Sequence, residues 1–293
     1  MGQARVDPSA AAFNALISAA ARTGDRLLAE RRLEEMAAAC LQPNVITYNS
    51  LIHAAAKSGD VAVAEHWRAS MVEATVLPNT ITYTTLLDAA ARAGDIGAAE
   101  QWYARLVEDG VQACPMVYNV LIRASAVAGQ GSGAGASPER WVSKMANAAV
   151  QPDIVTLNTS LDTCSKAGDP PRAEAWLRRL GGTAGLRPDA ATYGTLIDGY
   201  ARCAGVDEAL KWFASLEQAG VVATAIQYNQ LLNACARAAP TRSVDATWVF
   251  QRMVVRAVSP TRVTLGTLLR AVGRAQALEL CAAAGIAGPE EGL

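Results

Sequence analysis

Trp67, Trp102, Trp141, Trp176, Trp212 and Trp248 follow one another at intervals of 35, 39, 35, 36 and 36 residues. A chain that sets its largest side chain at one phase of a ~35-residue period is a repeat protein. Each repeat is one supersecondary unit that buries its apolar face only against its neighbours, so the period constrains the architecture more than any local propensity.

A second series keeps the same phase. Phe13-Asn14-Ala15-Leu16-Ile17 is followed by Tyr48-Asn49-Ser50-Leu51-Ile52, Tyr83-Thr84-Thr85-Leu86-Leu87 and Tyr118-Asn119-Val120-Leu121-Ile122. Leu157-Asn158, Tyr193-Gly194, Tyr228-Asn229 and Leu265-Gly266 open the later members. Joints recur at Pro43-Asn44, Pro78-Asn79, Pro152-Asp153, Pro188-Asp189 and Pro260-Thr261. These marks divide the chain into repeats 10–44, 45–79, 80–114, 115–153, 154–189, 190–224 and 225–261, with a shorter one at 262–289. Residues 1–9 precede the array and 290–293 form a tail. Places are numbered below from the first residue of each repeat.

Within a repeat, Tyr, Leu and Ile recur at i, i+3, i+4 spacing, the apolar face of a helix. Gly-Asp turns follow at Gly24-Asp25, Gly59-Asp60, Gly94-Asp95 and Gly168-Asp169. The glycine suits a left-handed helix end and the aspartate an N-cap. A second helix then carries Ala, Trp and Met or Leu, as in Ala64, Trp67 and Met71, and proline at the joint is expected to stop it. All six tryptophans read as packing residues. Alanine supplies 61 residues and proline only 12, which favours helix over strand. The predicted fold is all-α: an α-solenoid, a right-handed superhelix of about eight helix-turn-helix repeats of ~35 residues. The fourth repeat carries a glycine-rich insertion at 129–136, and the eighth is too short for a full second helix, as in a cap or a truncation.

The chemistry of most enzymes is missing from this pattern. The glycine-rich stretch Gly131-Ser132-Gly133-Ala134-Gly135-Ala136 follows a helix, where a dinucleotide fingerprint needs a strand. His53 and His66 stand apart from each other and from cysteine ligands, so no metal site is expected. Six dispersed cysteines make neither a C-x-x-C pair nor a disulfide framework. Asn158-Thr159-Ser160 is a glycosylation sequon inside a helix, with no signal peptide ahead of it. Acid pairs such as Glu34-Glu35 and Asp207-Glu208 suit solvated faces and helix starts. No apolar run reaches the ~18 residues of a membrane span. No enzymatic activity, cofactor or small-molecule substrate is expected.

A formal net charge of −1 gives no global attraction to nucleic acid, so any such function must come from charge placement. Place 13 supplies it: Arg22, Lys57, Arg92, Lys166, Arg202, Arg237 and Arg274, with Val127 the one exception. Repetition stacks these cations into a stripe that suits a phosphate backbone. Basic residues near a helix C-terminus also favour the helix dipole, and both roles are compatible.

The period, the Tyr-Asn-x-Leu-Ile signature, the Ala-x-Ala-Glu-x-Trp stretch and the Pro-Asn or Pro-Asp joint resemble the pentatricopeptide repeat family, over residues 10–289. That resemblance implies an organellar protein, in chloroplast or mitochondrion, although no transit peptide is visible in this chain. It implies single-stranded RNA as the partner, one base per repeat. Base-reading side chains are then expected at place 5 and the last place: Asn14 with Asn44, Asn49 with Asn79, Thr84, Asn119 with Asp153, Asn158 with Asp189, and Asn229. Cys114, Thr224 and Thr261 at last places, and Gly194 and Gly266 at place 5, depart from the pattern. Place 2 is expected to pack against bases through Ile46, Ile81, Met116, Val155, Ile226 and Val263, with the smaller Ala11 and Ala191 in two repeats. The implied preference is pyrimidine-rich with a purine at the third repeat, and a recruited processing enzyme is a further implied partner. The competing reading is a scaffold whose inner surface binds a peptide.

Overall fold

The computed structural model describes residues 9–128, 138–203, 205–238 and 242–286. The stretch before residue 9, the glycine-rich stretch 129–137 and the tail from 287 lie outside the described residues. Among the described residues every regular element is a helix. The chain divides into two compact units, Met1–Gln151 and Pro152–Leu293. The first holds α1 (Ala10–Thr23), α2 (Arg26–Ala38), α3 (Val45–Lys57), α4 (Val61–Glu73), α5 (Thr80–Ala93), α6 (Ile96–Glu108), α7 (Pro115–Ala128) and α8 (Pro138–Asn147). The second holds α9 (Ile154–Lys166), α10 (Pro170–Ala184), α11 (Ala190–Arg202), α12 (Val206–Gln218), α13 (Ala225–Arg237), α14 (Ser243–Val255), α15 (Arg262–Val272) and α16 (Arg274–Ala283).

Each unit is an α-solenoid of stacked helical hairpins. The odd-numbered helices pack side by side as one layer, α1 to α7 in the first unit and α9 to α15 in the second. Even-numbered helices pack on their own partner, and α2, α4 and α6 also touch the next odd-numbered helix, as α10, α12 and α14 do. The aromatic of the Tyr-Asn signature lies in the core at Phe13, Tyr48, Tyr83, Tyr118, Tyr193 and Tyr228. Leu51, Ile52, Leu86, Leu87, Leu121 and Ile122 sit beside them one turn on, fully out of water.

The local chemistry explains where each helix starts. Asp25, Asp60, Asp95 and Asp169 cap the second helices by accepting from the backbone N–H three residues on. The glycines before them adopt positive φ, from 74° at Gly94 to 82° at Gly59. Helix ends differ from the expectation. Proline at the joint does not stop the second helices, because each has already closed upstream. Leu41 N–H reaches back to the Met36 carbonyl, Val76 to Met71, Val111 to Leu106 and Val258 to Met253. This bond pattern puts one residue in the left-handed region just before the apolar closer. Glycine takes that place at Gly110 and Gly220, but Cys40, Thr75, Ala149 and Ala257 also hold it, with φ of 54–59°.

The tryptophans are less uniform than their spacing implies. Trp102, Trp141 and Trp176 are buried, Trp67 and Trp212 are half-buried, and Trp248 is 47% exposed. Each buried one has a cation over its ring: Arg68 over Trp102, Lys144 over Trp141 and Arg179 over Trp176. Tyr103 of α6 adds an edge contact to Trp141. Trp212 sits nearer water and donates its indole N–H to Glu174 at 2.9 Å.

Trp141→Ala should lower unfolding free energy by about 3–5 kcal/mol, whereas Trp248→Ala should cost a small fraction of that. Chemical denaturation of the two variants side by side checks the contrast. Ala257→Gly should stabilise by about 1 kcal/mol, since it relieves a left-handed alanine, and the denaturation midpoint should rise.

Candidate nucleic-acid interface

On an α-helix, residues 2, 5, 9 and 13 fall within a stripe about 80° wide and about 16 Å long. The odd-numbered helices carry their distinctive side chains on that stripe. Place 2 stands at its N-terminal end, and Ile46, Ile81, Met116, Val155, Ile226 and Val263 leave 54–65% of their surface in water. Exposed large aliphatics at one phase, on helices whose other large apolar residues are buried or half-buried, recur as apolar wedges on each unit. Ala11 and Ala191 at the same place are exposed as well.

Place 5 comes next, and its amides are tethered. Asn14 Nδ2 donates to Asn44 Oδ1 at 3.3 Å, while Asn14 Oδ1 accepts from Thr47 Oγ1 at 2.6 Å. Asn49 repeats this with Asn79 at 3.2 Å and Thr82 at 2.6 Å. Asn158 repeats it with Asp189 at 3.3 Å and Thr192 at 2.7 Å. Asn229 does so with Thr261 at 3.4 Å and Thr264 at 2.6 Å. The structure therefore brings together the place-5 and last-place side chains of these four repeats. Each amide uses one N–H and one lone pair of its oxygen within the protein, and one N–H and one lone pair remain for another partner.

The last-place residues have a second task that spacing alone did not show. Asn44, Asn79, Asp153, Asp189, Thr224 and Thr261 are the N-caps of α3, α5, α9, α11, α13 and α15. Each forms a reciprocal capping box with the third residue of its helix, Thr in five cases and Gln227 in the sixth. Burial pushes the Asp189 carboxyl up. The Thr192 amide and hydroxyl, the Asn158 amide and the Ala191 N–H outweigh it and hold the group below the usual carboxylate range.

The departures have local reasons. Thr84 turns its hydroxyl back to the Thr80 carbonyl at 2.6 Å and makes no bond to Cys114. Asn119 keeps a buried amide oxygen without a hydrogen-bond partner among the described residues. At Gly194 an added Cβ would meet Gln227 Nε2 at 3.0 Å. The Gln227 amide lies where a place-5 side chain would, and donates to the Ala190 carbonyl at 3.0 Å. Gly266 faces open space.

Place 13 closes the stripe with Arg22, Lys57, Arg92, Lys166, Arg202 and Arg237, all exposed in the last turn of their helices. Arg274 is exposed but stands elsewhere. Gly273, at φ 83° and ψ 165°, ends α15 early, and Arg274 becomes the first residue of α16. The Val127 side chain lies outside the described residues. Lys57 Nζ donates to the Arg22 carbonyl, and Arg237 reaches the Arg202 carbonyl at 3.4 Å. The cations thus also satisfy the C-terminus of the preceding odd-numbered helix.

Place 9 was not singled out from sequence, because its residues vary: Ser18, His53, Asp88, Arg123, Asp162, Asp198, Asn233 and Arg270. It fills the gap between amide and cation. Asp88 pairs with Arg92 at 2.7 Å, Asp162 with Lys166 at 2.6 Å and Asp198 with Arg202 at 2.7 Å. The stripe is therefore partly self-neutralised. Its i, i+4 acid-before-base spacing was the signal available in sequence. His53 is held below the ordinary imidazole value by burial, then by Lys57 and Arg92, against the opposing pull of Asp88. Among the described residues no group of three His, Cys, Asp or Glu side chains is placed to hold a metal ion. No described helix is long and apolar enough to cross a membrane.

Thr192→Val should remove the donor that fixes Asn158 and break the capping box of α11, costing about 1–2 kcal/mol. The depressed Asp189 carboxyl contributes stability above its ordinary pKa, and that contribution is lost as pH falls through the folded value. The Thr192→Val deficit measured by denaturation at neutral pH should therefore shrink on acidification.

Three family models match the sequence: the PPR repeat family over residues 43–92, the pentacotripeptide-repeat region of PRORP over 79–239, and the pentatricopeptide repeat domain over 1–66. No curated protein matches the chain. Among solved structures, the pentatricopeptide repeat protein PPR10 in complex with an 18-nt psaJ RNA element is 25% identical, with a TM-score of 0.71 over 96% of this chain. PPR10 from maize matches over 94% of this chain with a TM-score of 0.60 and 22% identity. The alignments take in 41% and 43% of those proteins, so the chain spans less than half the length of either. With one family model spanning residues 79–239, more than half its length, and the repeat architecture above, the chain belongs to the pentatricopeptide repeat family.

Proposed function

We propose that this chain binds single-stranded RNA sequence-selectively, one base per repeat, and acts by occupancy. One observation carries the reading: exposed wedge, tethered amide and cation recur in the same order along the same stripe of successive helices. Apolar wedges at place 2 give sequence-tolerant packing between bases. A place-5 Asn amide, which both donates and accepts, matches a pyrimidine edge, and a last-place carboxylate accepts from the base directly or through water. Place-13 cations follow the phosphates. The solved relative that aligns over most of this chain is described as a complex with an RNA element, which supports the same partner.

Asn14 with Asn44 and Asn49 with Asn79 read pyrimidines, and Asn158 with Asp189 reads U. Thr84 reads a purine. Asn229 reads a pyrimidine loosely, since Thr261 offers a hydroxyl where Asp offers a carboxylate. A strand covered in this way is shielded from nucleases, remodelled, or presented to a separate processing enzyme, within an organelle. No catalytic step is assigned to the chain itself.

Selection from randomised single-stranded RNA should enrich a pyrimidine-rich core, and Asn158→Thr should move one position of that core toward purine. With about five phosphates engaged, log affinity should fall against log salt with a slope near −3.5. No enrichment, or affinity nearly independent of salt, would refute RNA recognition by this face. Peptide capture in its place would establish the scaffold.

A further inference from the structure

One place on the first unit gathers more charge than the regular stripe supplies. A cavity of about 330 Å³ opens between α3, α5 and α7. Lys57, Arg92 and Arg123 line it from three successive helices, with Asp88 the single anion and His53 beside them. Elsewhere place 13 gives at most one cation per repeat. Here the place-9 residue of the fourth repeat, Arg123, turns toward the cation of the third. Asp88 holds both guanidinia: one oxygen pairs with Arg92 at 2.7 Å and the other with Arg123. Thr84 and Met116, at the base-reading and base-packing places, line the same cavity.

Two guanidinia each give one N–H to a different oxygen of the same carboxylate, and a phosphate, which carries more oxygens than a carboxylate, is an anion that such converging guanidinia can also hold. The cavity keeps an excess of two positive charges after Asp88 is counted. We infer that this cavity is a seat for one backbone phosphate of the bound RNA, with Arg123 a phosphate-holding residue and Asp88 the counter-ion that the phosphate displaces. The inference rests on the RNA-binding reading above and adds two residues to it. Asp88 keeps the arginines ordered in the free chain and opposes indiscriminate anions, so the strand must bring enough other contacts to evict it.

The test is binding of a labelled pyrimidine-rich RNA by the full chain, read by fluorescence anisotropy over a salt series, with thermal melting as the folding control. Asp88→Asn should tighten binding about fivefold at low salt, the factor for removing a like charge at about 4 Å in water. Arg123→Gln should weaken binding and make the salt slope shallower by about 0.7. Arg123→Lys should recover part of both, since it keeps the charge without the fork. Failure of the wild-type chain to bind any RNA would sink the RNA reading and this seat together. Wild-type binding unaltered by Asp88→Asn and Arg123→Gln would overturn the seat alone. Free inorganic phosphate forms the second arm. Millimolar phosphate that occupies the cavity, shifts the Arg123 guanidinium signals in nuclear magnetic resonance and displaces RNA would reassign it to small anions. Weak phosphate binding beside strong RNA binding is the result expected.

Discussion

One oxygen at each of four joints, Asn44, Asn79, Asp189 and Thr261, ties a helix start to the neighbouring place-5 amide. Asn44 Oδ1 accepts from the N–H groups of Ile46 and Thr47 and also from the Asn14 amide of the preceding helix. The first acceptances satisfy donors that a helix start leaves orphaned. The last pins a side chain on the neighbouring helix. Helix nucleation, hairpin stacking and orientation of the site amide therefore draw on the same atom. A place-5 asparagine in such a latch is oriented before any ligand arrives, which cuts the ordering entropy that binding would otherwise cost.

The charge pattern follows a related logic. The chain is nearly neutral, and acids one turn before the cations keep the face from being a bare basic strip. Exposed i, i+4 pairs stabilise a helix only slightly. Their larger effect is electrostatic: a self-paired cation has a lower appetite for phosphate than a lone one. Between repeats, Arg242 with Asp207 and Arg252 and Arg256 with Glu217 link neighbouring even-numbered helices in the second unit, on the layer away from the odd-numbered helices' place-5 amides.

Much of this was legible from residue spacing. The period placed the hairpins, Gly-Asp marked the turns, and the recurring Tyr-Asn and joint residues located side chains that the structure brings within hydrogen-bonding distance. What spacing hid has physical causes. Place 9 keeps to no one residue type, mixing neutral, acidic and basic side chains, so no periodic signal marks it. Proline at the joint drew attention from the left-handed closers upstream, whose sequence signature is only a residue such as Cys40 or Ala257 before an aliphatic. Trp248 shares the phase of Trp141 but not its cover of aromatic and cationic neighbours. Arg274 shares the phase of the cation stripe, but a single glycine ends its helix early and moves it to the next.

The latch also sets where such arrays can be cut and rejoined. The amide and the joint residue travel together in a repeat such as 45–79, but the hydroxyl that locks them, Thr82, belongs to the next. A module exchanged at the joint would inherit whatever follows it. Placed ahead of a partner with glutamine at that position, as at Gln227, its asparagine would meet the amide that already fills the space beside Gly194. Swaps made one helical turn downstream, after the threonine, would carry the whole lock with its key.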